Sequence, residues 1–231
     1  MDGLALLATL QLADSTFPSG AYTLSGGLET LLDEGLVDGP NGLAGCIRSV
    51  LLGRAARGDL AALIAAHRAA SENPPDVGSI LAIDRRLEAT KLAAEERTGA
   101  RRVGRRIAIE GDRLISSPAV AALVEAIDAG DTPGTAAVAY GAVAAGLAIP
   151  EREAALAAAH AMTLGLLGVA VRLGRIGHGD QQRLLRDARE VIIRAVDVAA
   201  ATDWRFLRPF APGLDVAMAR HEVASGRVFA S

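Results

Sequence analysis

The sequence contains one cysteine, Cys46, in 231 residues. A lone thiol excludes an internal disulfide framework and any multi-cysteine metal site. Aromatics are also scarce, at 3% of residues, so the interior has to be built from Ala, Leu and Val. That favours close helix contacts over aromatic-rich sheets. Net charge is only −3, which leaves no global basic field to recruit nucleic acid. Catalytic signatures are missing as well. No glycine-rich loop ends in Gly-Lys-Ser/Thr, and no Gly-x-Ser-x-Gly elbow occurs. "GRIGHG" spaces its glycines wrongly for a dinucleotide fingerprint and follows a helix, not a strand. The histidines, His67, His160, His178 and His221, are scattered, with no pair at helix spacing. His178, flanked by glycines, is the one weak metal candidate. Cys46 lies on an apolar helical face and reads as core. The opening "MDGLALLATL" carries an acid where a signal peptide needs a base. The expected location is cytoplasmic.

What the chain does have is helical periodicity. With 51% hydrophobic and 22% charged residues, it can bury a sizeable core. Leu184, Leu185, Ala188, Val191, Ile192, Ala195, Val198 and Ala199 form one stripe, with Arg183, Arg186, Asp187, Glu190 and Arg194 mostly away from it. Ser117-Pro118 and Thr132-Pro133 each place a capping hydroxyl before a proline that can open a helix. The pattern predicts helices near 3–13, 26–37, 41–57, 59–71, 77–95, 97–113, 118–129, 133–148, 151–174 and 180–201. No segment alternates as a strand would. The expected fold is all-α: one compact bundle of about ten helices, a single domain over 1–231, with an aromatic C-terminal tail. Residues 154–171 carry no charged side chain. They read as a helix buried on all sides, central in the core or at a dimer seam, and alternatively as part of a membrane hairpin over 133–171.

Three stretches stand out. "DSTFPSGAYTLSGGLETLL", from Asp14 to Leu32, punctuates two helices with a proline and three glycines. Arg101/Arg105 and Arg102/Arg106 stack at i,i+4. That makes either a solvated face with local ion pairs or a surface for an acidic protein partner. From Thr202 onward the chain concentrates its only Trp and three of its four Phe. Such a segment is a strap over the core or a docking surface.

The Asp14–Leu32 stretch also resembles a signature of the urease accessory UreF family: Pro18, Gly20, Tyr22, Ser25, Gly27, Leu28 and Glu29 follow the family's order. Four further blocks agree in register. These are "RRVGRRIAI" with Gly104 and Arg105, "AVAYGAVAAGLAI" around Gly141, "AVRLGRIGHGDQQRLL", and a terminal block. The third of these contains Ala170, Arg172, Leu173, Gly177 and Gln182; the last contains Pro212, Asp215, Arg220, His221, Glu222, Arg227, Phe229 and Ser231. Departures include Arg175 where a proline is common and His178 near a usual glutamine.

The resemblance implies an all-helical homodimer without catalysis of its own or a cofactor bound by the chain alone. It would bridge UreD (UreH) and the nickel-binding GTPase UreG on apo-urease, with nickel handled by the assembled complex. No nucleic acid or membrane is involved. The implied partner-binding residues are Tyr22, Ser25 and Glu29 at the N-terminal surface, and Arg105 on the arginine helix. Asp180 and Gln182 would face UreG. Arg220, His221, Glu222, Arg227 and Phe229 would order against UreD through segment 202–231. Pro18, Gly20, Gly27 and Gly104 would shape the backbone. A rival reading is a helical enzyme or small-ligand protein, with Tyr22, His178 and Arg105 around an interhelical pocket.

Overall fold

The computed structural model describes residues 2–224 and 226–230; Ser231, the last residue of the terminal block, lies outside them. Among these residues there are twelve α-helices and no strand. They are α1 (Gly3–Ala13), α2 (Leu28–Asp33), α3 (Gly39–Arg48), α4 (Asp59–Ala70), α5 (Val77–Glu88), α6 (Ala94–Leu114), α7 (Pro118–Ala129), α8 (Ala136–Gly146), α9 (Glu151–Arg172), α10 (His178–Asp187), α11 (Arg189–Ala200) and α12 (Pro212–His221). Single 3₁₀ turns lie at Ala21–Thr23 and Trp204–Phe206, and a π-helical segment at Ser49–Ala55.

The centre is the seam between α4 and α8. Ala62, Ala66, Ala139, Ala142 and Ala144 are fully covered there. At Gly141 a Cβ would stand 2.3 Å from the Leu63 carbonyl oxygen. Small residues let the two backbones meet, and dispersion over many short contacts replaces the aromatic bulk the sequence lacks. On the other side of α8 runs α6, where a Cβ on Gly104 would lie 2.1 Å from the Gly134 carbonyl oxygen. Gly104 is therefore a close-approach glycine.

Several boundaries moved for physical reasons. The α8 start shifted from 133 to Ala136 because the preceding loop serves another group. The buried Asp84 carboxylate accepts from Thr132 Oγ1, the Gly134 N–H, the Thr135 N–H and Thr135 Oγ1. The long helix expected over 180–201 turns at Ala188; no proline or glycine marks the break, so the periodicity ran through it. The C-terminal segment contains α12, which the aromatic reading missed. Pro212 opens the helix, and Leu214, Ala217, Met218 and His221 make its buried stripe.

Helix α9 is not buried on all sides. Thr163, Leu167 and Ala170 face the bundle, whereas His160 and Gly165 are exposed. It is long and apolar enough to cross a membrane, and 39% of its apolar window is covered inside the fold. Its neighbours include α1, α2, α4, α8, α10 and α11. The other half of the expected hairpin, α8, has only 11 residues, too few to span a bilayer core as a helix.

Candidate functional site: where the N-terminal turn meets the C-terminal tail

The turn after α1 is built from left-handed glycines. Gly20 has φ +73° and Gly27 φ +82°, conformations that cost any residue with a Cβ. Gly27 also sits under α12: a Cβ there would stand 3.0 Å from Met218 Cγ and 3.2 Å from the Leu214 carbonyl oxygen. The turn is thereby shaped to receive a helix from the other end of the chain. Helix α2 follows immediately, and Leu28 through Leu32 are all buried.

Glu29 is among those buried residues, at 3% exposure, and Ser25 is buried beside it. The surface position expected for both is corrected to an interior one. The Glu29 carboxylate accepts from the Val228 N–H at 2.7 Å and the Phe229 N–H at 3.2 Å. His221 Nε2 lies 3.0 Å from its Oε2, and His221 Nδ1 lies 2.7 Å from Glu95 Oε2. The ring thus sits between two carboxyl groups, with each of its nitrogens within hydrogen-bond distance of one of them. Arg227 pairs with the second Glu95 oxygen, so two acids face two bases. A buried constellation of this kind is strongly destabilised when one member is removed and its partner is left uncompensated.

The tail is fastened at further points. The Ala230 N–H donates to the Thr23 carbonyl at 2.9 Å. Arg172 on α9 donates to the Tyr22 carbonyl at 2.6 Å and lies over the Phe229 ring, 4.3 Å from its centroid. Phe229 is buried by this contact, and the cation over the ring adds to the apolar gain. Glu222 accepts from the Glu95 N–H at 3.0 Å, at the start of α6, where a carboxylate suits the helix N-terminus. Arg220 pairs with Glu34 at 2.7 Å. Tyr22 itself is 67% exposed, and Pro18 is exposed at the edge of the turn.

A second charge network adjoins the first. Arg54, presented by the π-helical segment, reaches Glu96 at 2.5 Å and also Asp215 on α12. Lys91 Nζ lies 2.8 Å from Asp59 and 3.1 Å from Glu96. Burial works against the Lys91 charge, but Asp59 and Glu96 outweigh it and hold its pKa above the ordinary value. For Asp59, burial raises the carboxyl, yet Lys91 and Arg54 prevail and hold it low. The Phe210 N–H donates to the Gly53 carbonyl, so the same π segment also receives the chain before α12.

The remaining expected residues lie elsewhere. Arg105 pairs with Asp128 at 2.9 Å and lines an open groove with Arg85, Arg101 and Arg102; Arg102 also donates to Thr23 Oγ1. Asp180 pairs with Arg183 in the first turns of α10, where Gln182 and His178 are exposed. Tyr22 and His178 do not line the groove that holds Arg105, so the three residues of the rival pocket reading do not share it. Among the described residues no group of three or more His, Cys, Asp or Glu is arranged to hold a metal ion. Burial pushes the Cys46 thiol up to about 11, which makes it a poor nucleophile. Sequence reading named Arg172 only as part of a family block, without a role, and missed Glu95, Arg54, Asp59, Lys91 and Asp84. Each pairs across long sequence separations, which leaves no local pattern to read.

A family model described as UreF matches residues 37–189. Proteins named urease accessory protein UreF from Yersinia pseudotuberculosis serotype IB, Yersinia enterocolitica serotype O:8 and Yersinia pestis strain Pestoides F are each 30% identical over 231 residues. The match spans the whole of both chains. The chain belongs to the UreF family of urease accessory proteins, chaperones without catalysis of their own.

Proposed function

We propose that this chain is the bridging scaffold of urease maturation. It joins UreD (UreH) to the GTPase UreG while nickel, the cargo, is inserted into apo-urease. Segment 202–231 is the UreD-facing element, and the exposed face of α10, with Asp180 and Gln182, is the UreG-facing one. The observation that carries this reading is the apolar surface at the C-terminal end. Phe206, Phe210, Val216, Val223 and Val228 are all exposed there, and aromatic and aliphatic side chains left uncovered together mark docking surfaces.

A second apolar surface supports a homodimer. Leu4, Leu7 and Leu10 of α1 are exposed, and α1 packs along α9, the longest helix of the fold and an apolar one. The occupant we assign to this face is a second copy of the chain, since α1 leaves three leucines uncovered next to α9.

The test is removal of the residues after His221, which leaves α12 and its histidine intact. Co-purification with UreD and activation of urease should both be lost, while the dimer survives in light scattering. Survival of co-purification and activation would contradict the tail-docking assignment.

A further inference from the structure

We propose that the surface formed by Thr23, Glu29, Glu95 and Arg172 is a peptide-recognition site for a short bent segment with a basic residue, any residue, an aromatic and a small residue in that order, with the chain's own residues 227–230 as its displaceable resident. This goes beyond the scaffold assignment, because it concerns what the N-terminal side binds when the tail is elsewhere.

The contacts have the form of peptide recognition and not of core packing. Three successive backbone N–H groups, from Val228, Phe229 and Ala230, are taken by Glu29 and the Thr23 carbonyl. Main-chain bonds of this kind accept any segment that can take up the bend at Val228 and Phe229; side-chain subsites then select. Here there are two: Arg172 covers the Phe229 ring, and Glu95 takes Arg227. Between them Val228 points outward, 69% exposed, so that position is unselective.

The residues of this surface are tied to one another without the tail. Arg172 holds the Tyr22 carbonyl, Arg102 holds Thr23 Oγ1, and His221 on α12 bridges Glu29 to Glu95. The segment itself is joined to α12 through Gly226, at φ +83°, which turns the chain back toward that surface. Residues 227–230 bury only one large side chain. Their gains in hydrogen bonding and burial are comparable with the entropy lost on ordering them. Tethering supplies a high effective concentration, which keeps the resident in place against free competitors.

The probe is a fluorescently labelled synthetic peptide of residues 222–231, titrated by anisotropy into the full-length chain. The Phe229→Ala chain, which loosens the resident, should bind it at least tenfold more tightly than the unaltered chain. Peptides carrying Phe229→Ala or Arg227→Glu should lose that binding, and adding Glu29→Gln to the Phe229→Ala chain should weaken it. Circular dichroism checks each variant; if Phe229→Ala fails to fold, Val228→Pro removes the first amide from an exposed position and serves in its place. No binding to a folded, loosened chain would overturn the proposal, as would equal binding of all three peptides. No partner protein enters this experiment, so its failure is separate from failure of the scaffold assignment.

Discussion

The α4–α8 seam and the Glu29 junction are both buried, yet they are held by opposite means. At the seam, alanines and Gly141 bring backbone against backbone, and polar side chains are few: His67 of α4 reaches the Ile149 carbonyl at 2.8 Å, and the buried Tyr140 hydroxyl of α8 has no hydrogen-bond partner among the described residues. At the junction, Glu29, Glu95, His221 and Arg227 each depend on the others. A seam of that kind resists local opening because every contact is shared along two helices. A junction of charges can come apart at its outer end, where water replaces what the tail supplied. The protein thus keeps its rigidity in the middle and its exchangeable contacts where the chain ends meet.

Substitutions at the two places should separate these behaviours. Glu29→Ala strands His221 between one acid and a void, and should cost about 3–5 kcal/mol in denaturant unfolding, with the tail becoming protease-sensitive first. Gly141→Ala should cost about 1–3 kcal/mol, because a methyl cannot enter without moving α4. In that variant the tail should stay protected until the whole chain unfolds. Acid should act on the second charge network. The Asp59 carboxyl is held below 3.8, so its contribution is complete above pH about 4 and is lost as pH falls through the lower folded-state value. Stability measured from pH 5 downward should fall less steeply in Asp59→Asn than in the unaltered chain. Smallest is Arg105→Ala: its pair with Asp128 is half exposed on both sides, and the midpoint should shift by the equivalent of less than about 1 kcal/mol.

Much of the frame was readable in the sequence, since long helices announce themselves by their period. α4, α7 and α9 lie close to where the apolar spacing put them. The turn around Gly20 and Gly27 was legible too, as only glycine suits those backbones. What stayed hidden was the partner of each buried charge. Glu29 reads locally as an acid in the first turn of a helix, a common surface feature, and its amide donor lies 199 residues away. Arg54 and Lys91 look like ordinary surface bases until the fold brings Glu96 between them. Helix α12 was masked by the aromatics around it, although Leu214, Ala217, Met218 and His221 carry helical spacing.

The central claim is that the C-terminal tail closes over the N-terminal turn through Glu29. Amide hydrogen exchange of Val228, Phe229 and Ala230 in the full-length chain tests it most directly. Exchange should be slow at all three amides, and at least tenfold faster in Glu29→Gln while amides of α4 and α8 are unchanged. Exchange in the unaltered chain at the rate of a free peptide of the same sequence would contradict it.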